Sequence, residues 1–537
     1  MRHLLIISAL LLAAQITYAG EEKRPNIILV FSDDHATQAI GAYGGRFENI
    51  APTPALDKLA AEGMLFSRCM VGNSICGPSR ATVLTGKHSH KNGFMVNHGA
   101  TFDSSQQTFP KLLQKGGYQT ALVGKWHLVS EPTGFDHWEV LPGQGSYYNP
   151  YFNTPKGVIQ EEGYVSNVVT DKAIEWLEEG RNPDKPFMMM VQHKSVHRKW
   201  LPDLKYLHMF DDITMPEPDT LFDDYSGRGT AAREQDLSIE STMGIGRDLK
   251  VEELDIGHVL REQSLDRMTP KHRAAWTAAY QPQNDAFLAN PPTGKALVSW
   301  KYQRYLKDYM RCVKSLDDSI DQLRDYLETS GLAENTVIVY SSDQGFYLGE
   351  HGWFDKRFMY DESFRTPLIA YWPGVTQPNS VNKDLVSNLD FAETFLEIAG
   401  VPVPDDMQGE SLVPLLKGET PSDWRDMVYY HYYEYPCWHM VQRHEGVYDG
   451  RYKLMSFYDI DEWELYDLHT DPNEMKNQVA NPEYAEVLKS MKERLSRARK
   501  QYDVPELEPK DVSNPDRYFH SEEQNKRAHA QDAERGE

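Results

Sequence analysis

Short apolar runs alternate with amphipathic stretches over the first three quarters of the chain. Five runs read as buried parallel strands: residues 26–31, 120–123, 187–191, 336–340 and 367–371. Each is followed at once by polar residues or a turn. The first runs into Ser32-Asp33-Asp34, the second into Gly124-Lys125-Trp126-His127, and the third into Gln192-His193-Lys194-Ser195-Val196-His197. The fourth runs into Ser341-Ser342-Asp343-Gln344 and the fifth into Trp372-Pro373-Gly374. Helical periodicity falls between them, at 55–63, 108–116, 167–179, 302–330 and 391–398. Apolar runs separated by amphipathic helices predict an α/β domain around a large, mainly parallel sheet. Ligands of such sheets bind beyond the carboxyl ends of the strands, where these Asp, Lys and His residues fall.

The rhythm breaks twice. Residues 205–300 are rich in Asp, Pro, Gly and Arg, with helical pieces near 247–265 and 270–280. They read as an excursion over the sheet, either shaping a substrate cleft or forming a plain surface insertion. After about residue 415 come short aromatic strands at 427–433, 444–448, 452–457 and 464–467, then a charged helix at 482–502. This pattern predicts a smaller antiparallel sheet with one helix. The expected organisation is a catalytic domain over 20–414, a C-terminal α+β subdomain over 415–507 and a polar tail over 508–537.

The leading residues predict processing rather than fold. Arg2 and His3 precede an apolar run at 4–14, and Thr17-Tyr18-Ala19 supplies small residues for cleavage. Residues 1–19 therefore read as a secretory signal peptide, which implies a periplasmic or secreted protein. The run is too short to span a bilayer, and no later segment has about 20 consecutive apolar residues, so no membrane span is expected.

Of the 537 residues, 56 are Lys or Arg and 80 are Asp or Glu, a net charge of −24. Such a balance argues against general nucleic-acid binding, which needs a basic footprint. An anionic ligand would have to rely on local cations. Four cysteines, Cys69, Cys76, Cys312 and Cys437, are too few for a disulfide scaffold in this length, and none has zinc-like spacing.

Three elements carry chemistry. Asp33, Asp34, Asp343 and Gln344 end two strands predicted to be central, and three carboxylates with an amide oxygen suit calcium or magnesium. In Cys76-Gly77-Pro78-Ser79-Arg80, Pro78 fits the first turn of a helix. Cys76 then sits at a helix start, where negative charge is favoured, and Arg80 lies one turn on. Lys125, His127, His193, His197 and Lys356 add cations and proton carriers at strand ends or in the loop after Asp343. A metal, a reactive helix start and several cations make an anion-cleaving site.

The Cys76-Gly77-Pro78-Ser79-Arg80 run resembles the Cys-x-Pro-Ser-Arg signature of type I sulfatases. The resemblance extends through Asp33-Asp34, Gly86-Lys87, Gly124-Lys125-Trp126-His127, Gly134-Phe135-Asp136, Ser342-Asp343-Gln344-Gly345 and Glu464-Leu465-Tyr466-Asp467-Leu468. It implies an alkaline-phosphatase-like α/β fold and hydrolysis of sulfate esters. It implies that Cys76 is oxidised to formylglycine, whose hydrate is the nucleophile, by a formylglycine-generating or anaerobic sulfatase-maturing enzyme. It makes Asp33, Asp34, Asp343, Gln344 and the modified Cys76 the calcium ligands; Gln344 stands where the family often has Asn or His. Arg80 would hold the modified residue, Lys125 and Lys356 the sulfate oxygens, and His127 the hydrate. His197 matches the family's second His, although Val196 replaces the usual preceding Pro; His193 is the alternative.

Asp355-Lys356-Arg357 resembles the block found in N-acetylglucosamine-6-sulfatases, which implies a sulfated saccharide substrate held by Asp355 and Arg357; the alternative for these two is a local ion pair that stiffens the loop. His431 and His444 are further candidates for substrate contact; the alternative for the aromatic run around them is plain core. Two other functions remain open at this point: hydrolysis of phosphate or phosphonate esters within the same superfamily, and a silent glycan-binding protein with Cys76 unmodified.

Overall fold

The computed structural model describes residues 23–251, 265 and 267–506. The segments read as signal peptide and polar tail lie outside the described residues, as does most of the helix expected at 247–265. Ten strands form one sheet: β1 (Asn26–Ser32), β2 (Met64–Phe66), β3 (Gln119–Lys125), β4 (His137–Leu141), β5 (Tyr151–Thr154), β6 (Gly157–Gln160), β7 (Phe187–Gln192), β8 (Thr336–Ser342), β9 (Leu368–Tyr371) and β10 (Ser380–Asn382). Their order is β10-β2-β9-β8-β1-β7-β3-β4-β5-β6. The five neighbours β8, β1, β7, β3 and β4 are mutually parallel.

Every residue of β1 is buried, because both faces of the sheet are covered. The period-two alternation of the strand divides its side chains between two cores. Ile28 and Val30 pack with the helices Pro54–Glu62, Val165–Glu175 and Lys295–Thr329. Ile27, Leu29 and Phe31 pack with the helices Cys76–Thr85, Phe109–Lys115 and Asp390–Ile398. The helix that begins at Cys76 is thus seated directly on the sheet. It stops at Gly86, whose φ of 63° is the left-handed conformation that glycine adopts without a Cβ penalty.

One strand runs against expectation. β9 is antiparallel to β8 and β2. A parallel return needs a crossover that carries the chain to the opposite edge of the sheet. The connection from β8 to β9 instead stays at the carboxyl edge, as a small hairpin pairing 347–348 with 354–355 followed by the short helix Asp361–Phe364. The chain re-enters the sheet from the end where it left.

The C-terminal strands β11 (Val428–Tyr432), β12 (His444–Tyr448), β13 (Tyr452–Phe457) and β14 (Glu462–Asp467) form the antiparallel sheet predicted for them. One face packs on the helix Ala485–Gln501 through Met491, Leu495 and Ala498. The other face packs Tyr430, Tyr432 and Phe457 onto Trp353, Phe358 and Tyr360 of the loop after β8. The insertion braces that loop as well. Phe354 N–H donates to the Leu237 carbonyl and Ile239 N–H to the Gly352 carbonyl, while Asp236 N–H ties the insertion to the His439 carbonyl of the C-terminal unit. Among the described residues, no helix is long and apolar enough to cross a membrane.

Behind the Cys76 helix, Glu393 is buried; Oε1 accepts the Gly409 N–H and Oε2 has no partner. Burial, with Asp390 nearby, pushes its carboxyl up to about 8. The folded protein then keeps a proton that the unfolded chain releases above its ordinary carboxylate range. Stability from this group is fully present at low pH and is lost as pH rises through about 8. Glu393→Gln should therefore flatten the fall in Tm between about pH 5 and pH 8. Calorimetry at both pH values checks this, and a variant with the wild-type slope would show an ionised Glu393.

Candidate active site

Register assembles the acidic cluster. β1 and β8 pair so that Ser32 stands opposite Ser342. The next residues, Asp33-Asp34 and Asp343-Gln344, therefore leave the same edge side by side. Asp34 turns back with φ of 62°, and its N–H donates to Asp343 Oδ1 at 3.1 Å. The carboxylate oxygens of Asp33, Asp34 and Asp343 lie within 4.8 Å of one another, fully buried.

Each carboxylate has its own cation. Lys125 at the end of β3 pairs with Asp33. Lys356 reaches both oxygens of Asp34, at 2.7 and 2.8 Å. Arg80 grips Asp343 Oδ2 through Nε at 3.1 Å and Nη2 at 2.9 Å. Helical side chains lean toward the N-terminus, so Arg80, four residues after Cys76, turns back to the helix start. Its Nη1 also donates to Gln192 Oε1 at 2.5 Å and to the Lys125 carbonyl at 3.1 Å.

Cys76 is buried at the first position of its helix, with Sγ 4.0 Å from Gln344 Nε2. Sγ, an Asp33 oxygen and a His197 nitrogen also lie within 4.8 Å of one another. His197 Nε2 is 3.8 Å from Asp34 Oδ2, and its Nδ1–H donates to the Arg198 carbonyl at 2.6 Å. His197 rather than His193 thus has its ring beside the carboxylates. Burial pushes the imidazoles of His127 and His197 down, with Lys125 adding to the shift, so both are neutral.

Burial raises Asp34 to about 6 and Asp343 to about 7, with neighbouring carboxylates adding to both; Lys125 and Arg80 hold Asp33 low against the same burial. Asp33 Oδ1 and Gln344 Oε1, although buried, have no hydrogen-bond partner among the described residues. Crowded carboxylates with orphaned oxygens are costly to bury unless a cation neutralises them. The donor set is all oxygen, with one sulfur position adjoining, and fits a hard divalent cation.

The loop from Asp355 to Arg357 brings the other predicted residues to the same edge. Asp355 and Arg357 have φ of 78° and 98°, left-handed conformations that a side chain tolerates only under constraint. The bend turns Lys356 to Asp34 while Arg357 Nε stays 3.3 Å from Asp355 Oδ1. Two expected residues are elsewhere. His444 has Nδ1–H on the Gln442 carbonyl and Nε2 accepting the Met359 N–H, packed among Phe358, Tyr430 and Phe457. His431 is buried between the hydroxyls of Tyr429 and Tyr458 and stacks on Tyr433. Both ring nitrogens of each are engaged, so these histidines serve the core of the C-terminal sheet.

Three other neighbours, Gln144, Arg198 and Asp248, carry no local signal in the sequence, and they meet the site alongside His439. Gln144 accepts from Lys125 Nζ at 2.5 Å and donates to His127 Nε2 at 3.1 Å. His439 Nε2 lies 3.3 Å from Asp355 Oδ2 and 3.4 Å from Arg198 Nη1, while Asp248 of the insertion holds Arg198 by two 2.8 Å bonds.

The family model described as sulfatase matches residues 25–401. The chain belongs to the sulfatase family. It is a hydrolase of sulfate esters, and the model described as N-sulphoglucosamine sulphohydrolase, C-terminal, matches residues 349–501. An N-acetylglucosamine-6-O-sulfatase of Bacteroides thetaiotaomicron is 50% identical over 510 residues, 93% of this chain and 90% of that protein. The N-acetylglucosamine-6-sulfatase of Homo sapiens is 28% identical over 443 residues, 77% of this chain and 68% of that protein. A solved protein in complex with its substrate D-glucosamine-2-N,6-O-disulfate matches with a TM-score of 0.87 at 50% identity, covering 90% of this chain and 98% of the other. A phosphonate monoester hydrolase of Agrobacterium radiobacter, at 20% identity and a TM-score of 0.65, shares the fold.

If the acidic cluster holds a divalent cation, Asp343→Ala should lose it. Calcium should raise the Tm of the wild-type protein and leave that of the variant unmoved, and elemental analysis should find less metal in the variant. Equal metal content in both would remove Asp343 from the ligand set.

Proposed function

We propose that the protein is an exported, calcium- and formylglycine-dependent sulfatase that removes the 6-O-sulfate of N-acetylglucosamine in glycosaminoglycan or mucin-type glycans. The observation that carries the reading is the Asp355-Lys356-Arg357 loop. It sets a carboxylate and a guanidinium beside a lysine that reaches the acidic cluster. Half-identity to a named N-acetylglucosamine-6-O-sulfatase along nearly the whole chain supports the same substrate. The leading apolar run supports export to the periplasm or beyond.

Asp33, Asp34, Asp343 and Gln344 would hold the calcium, adjoining position 76. Calcium and an aldehyde hydrate at residue 76, installed by a maturation enzyme, would together supply an acidified oxygen nucleophile. The chain's own groups do the rest. Three carboxylates facing three cations balance to zero, so a divalent cation leaves the site with an excess of two positive charges. That excess suits a sulfate monoester anion. Lys125 and Lys356 then turn their N–H groups to sulfate oxygens, and Arg80 stays across Asp343 to fix the helix start. His127, hydrogen-bonded to Gln144, would orient the nucleophile at residue 76 or take its proton. His197 has Nδ1–H tied to a carbonyl, so Nε2 is the nitrogen that exchanges a proton with the departing sugar oxygen.

Cys76→Ala should abolish turnover while leaving the fold and calcium binding in place. Sulfate release by the variant above background would sink the assignment of the nucleophile. Assays on matched sulfate and phosphate esters should favour sulfate; the reverse preference would favour the phosphonate-hydrolase reading.

Substrate reading is tested separately. Asp355→Ala and Arg357→Ala each remove charge-assisted hydrogen bonds worth about 1.5–3 kcal/mol. That is a loss of roughly ten- to a hundred-fold in kcat/KM on 6-sulfated N-acetylglucosamine. The loss should be much smaller on an aryl sulfate, which has no sugar hydroxyls. Equal losses on both would make these residues supports of the loop. A wild-type enzyme that ignores the 6-sulfated sugar but cleaves a 2-, 3- or 4-sulfated one would overturn the substrate and keep the sulfatase.

A further inference from the structure

Two side chains of the C-terminal unit connect Arg357 to both flanks of Cys76. On the upstream side, the Tyr430 hydroxyl donates to the Arg357 carbonyl and accepts the Ser74 N–H at 3.2 Å. On the downstream side the link runs through Glu434. Its Oε1 accepts the N–H groups of Asn97 at 3.0 Å and His98 at 2.8 Å, and its Oε2 lies 3.4 Å from Arg357 Nη1. Asn97 Oδ1 in turn accepts the Gly77 N–H at 3.0 Å. The fit at Gly77 is close: a Cβ there would lie 2.5 Å from the Phe94 ring and 2.7 Å from Asn97 Oδ1. The amide behind residue 76 is therefore pressed onto Asn97 with no room for another side chain.

Glu434 is buried, and two amide donors on one oxygen do not by themselves compensate a buried carboxylate. Arg357 supplies the cation. Arg357 itself is buried between Asp355 and Glu434, so the aim of its guanidinium is set from both sides.

We propose that Glu434 is a positioning residue that sets the spacing between the group reading the sugar and the residue attacking sulfur. The inference rests on the reading above that Arg357 contacts the sugar. Glu434 contacts neither sulfate nor nucleophile. It acts through its charge on Arg357 and through Asn97 on Gly77, so the two effects separate by substitution. Glu434→Gln keeps an acceptor for both amides and drops the charge. Asn97→Ala cuts the tie to Gly77 and leaves Arg357 paired.

The experiment measures kcat and KM for both variants on 6-sulfated N-acetylglucosamine and on an aryl sulfate. Tm and the oxidation state of residue 76, by peptide mass, are recorded for each. Glu434→Gln should raise KM on the sugar roughly tenfold and change kcat/KM on the aryl sulfate less than about twofold. Asn97→Ala should lower kcat on both substrates, roughly tenfold, with KM little changed. Unchanged kinetics on the sugar in Glu434→Gln, or equal loss on both substrates with residue 76 fully oxidised, overturns the proposal. If the wild type does not cleave 6-sulfated N-acetylglucosamine, the substrate reading fails instead. The same split is then required on whichever sulfated sugar it does cleave.

Discussion

The site depends on the in-register pairing of β1 with β8. That pairing carries three carboxylates out of the same edge of the sheet and buries them within reach of one another. Three like charges in so small a volume are unfavourable without counter-charge. The counter-charges come from three separate places: the end of β3, the helix seated under the edge, and the loop after β8. Each of those elements is held where it is by the sheet and its two cores. The arrangement of the domain is thus the means by which a concentrated negative centre is kept inside a folded protein.

The loop after β8 is the least regular part of the site and the most heavily braced. It leaves the sheet at the carboxyl edge and returns antiparallel as β9, so it never gains the support of a crossover helix. Two other regions supply that support. The insertion adds backbone bonds at Leu237 and Ile239, the C-terminal sheet packs its aromatic face against Trp353, Phe358 and Tyr360, and Glu434 and His439 engage Arg357 and Asp355. The insertion and the C-terminal unit therefore serve the same loop. Their part in the chemistry is to hold two left-handed residues around Lys356 in one conformation.

The central strands, the helices between them and the antiparallel C-terminal sheet were all legible, because buried parallel strands and amphipathic helices leave different periodicities. The cluster at Asp33, Asp34, Asp343, Gln344, Cys76 and Arg80 was legible for a related reason: strand ends and a proline-marked helix start localise chemistry without knowledge of contacts. His431 and His444 misled, because a histidine in an aromatic strand carries the same local signal whether its ring faces a cleft or a tyrosine. Gln144, Arg198 and Glu434 sit in irregular loops with no periodicity to place them.

The amino-acid order alone determined the element types, the edge of the sheet where the charged residues gather and the helix start at Cys76. These follow from hydrophobic period and from residues whose backbone preferences are local. Only the tertiary structure decided the direction of β9, which cation answers which carboxylate, and which histidines face the centre. Those outcomes depend on long-range register and on whether each buried polar atom finds a partner, and a partner hundreds of residues away leaves no mark on the local sequence.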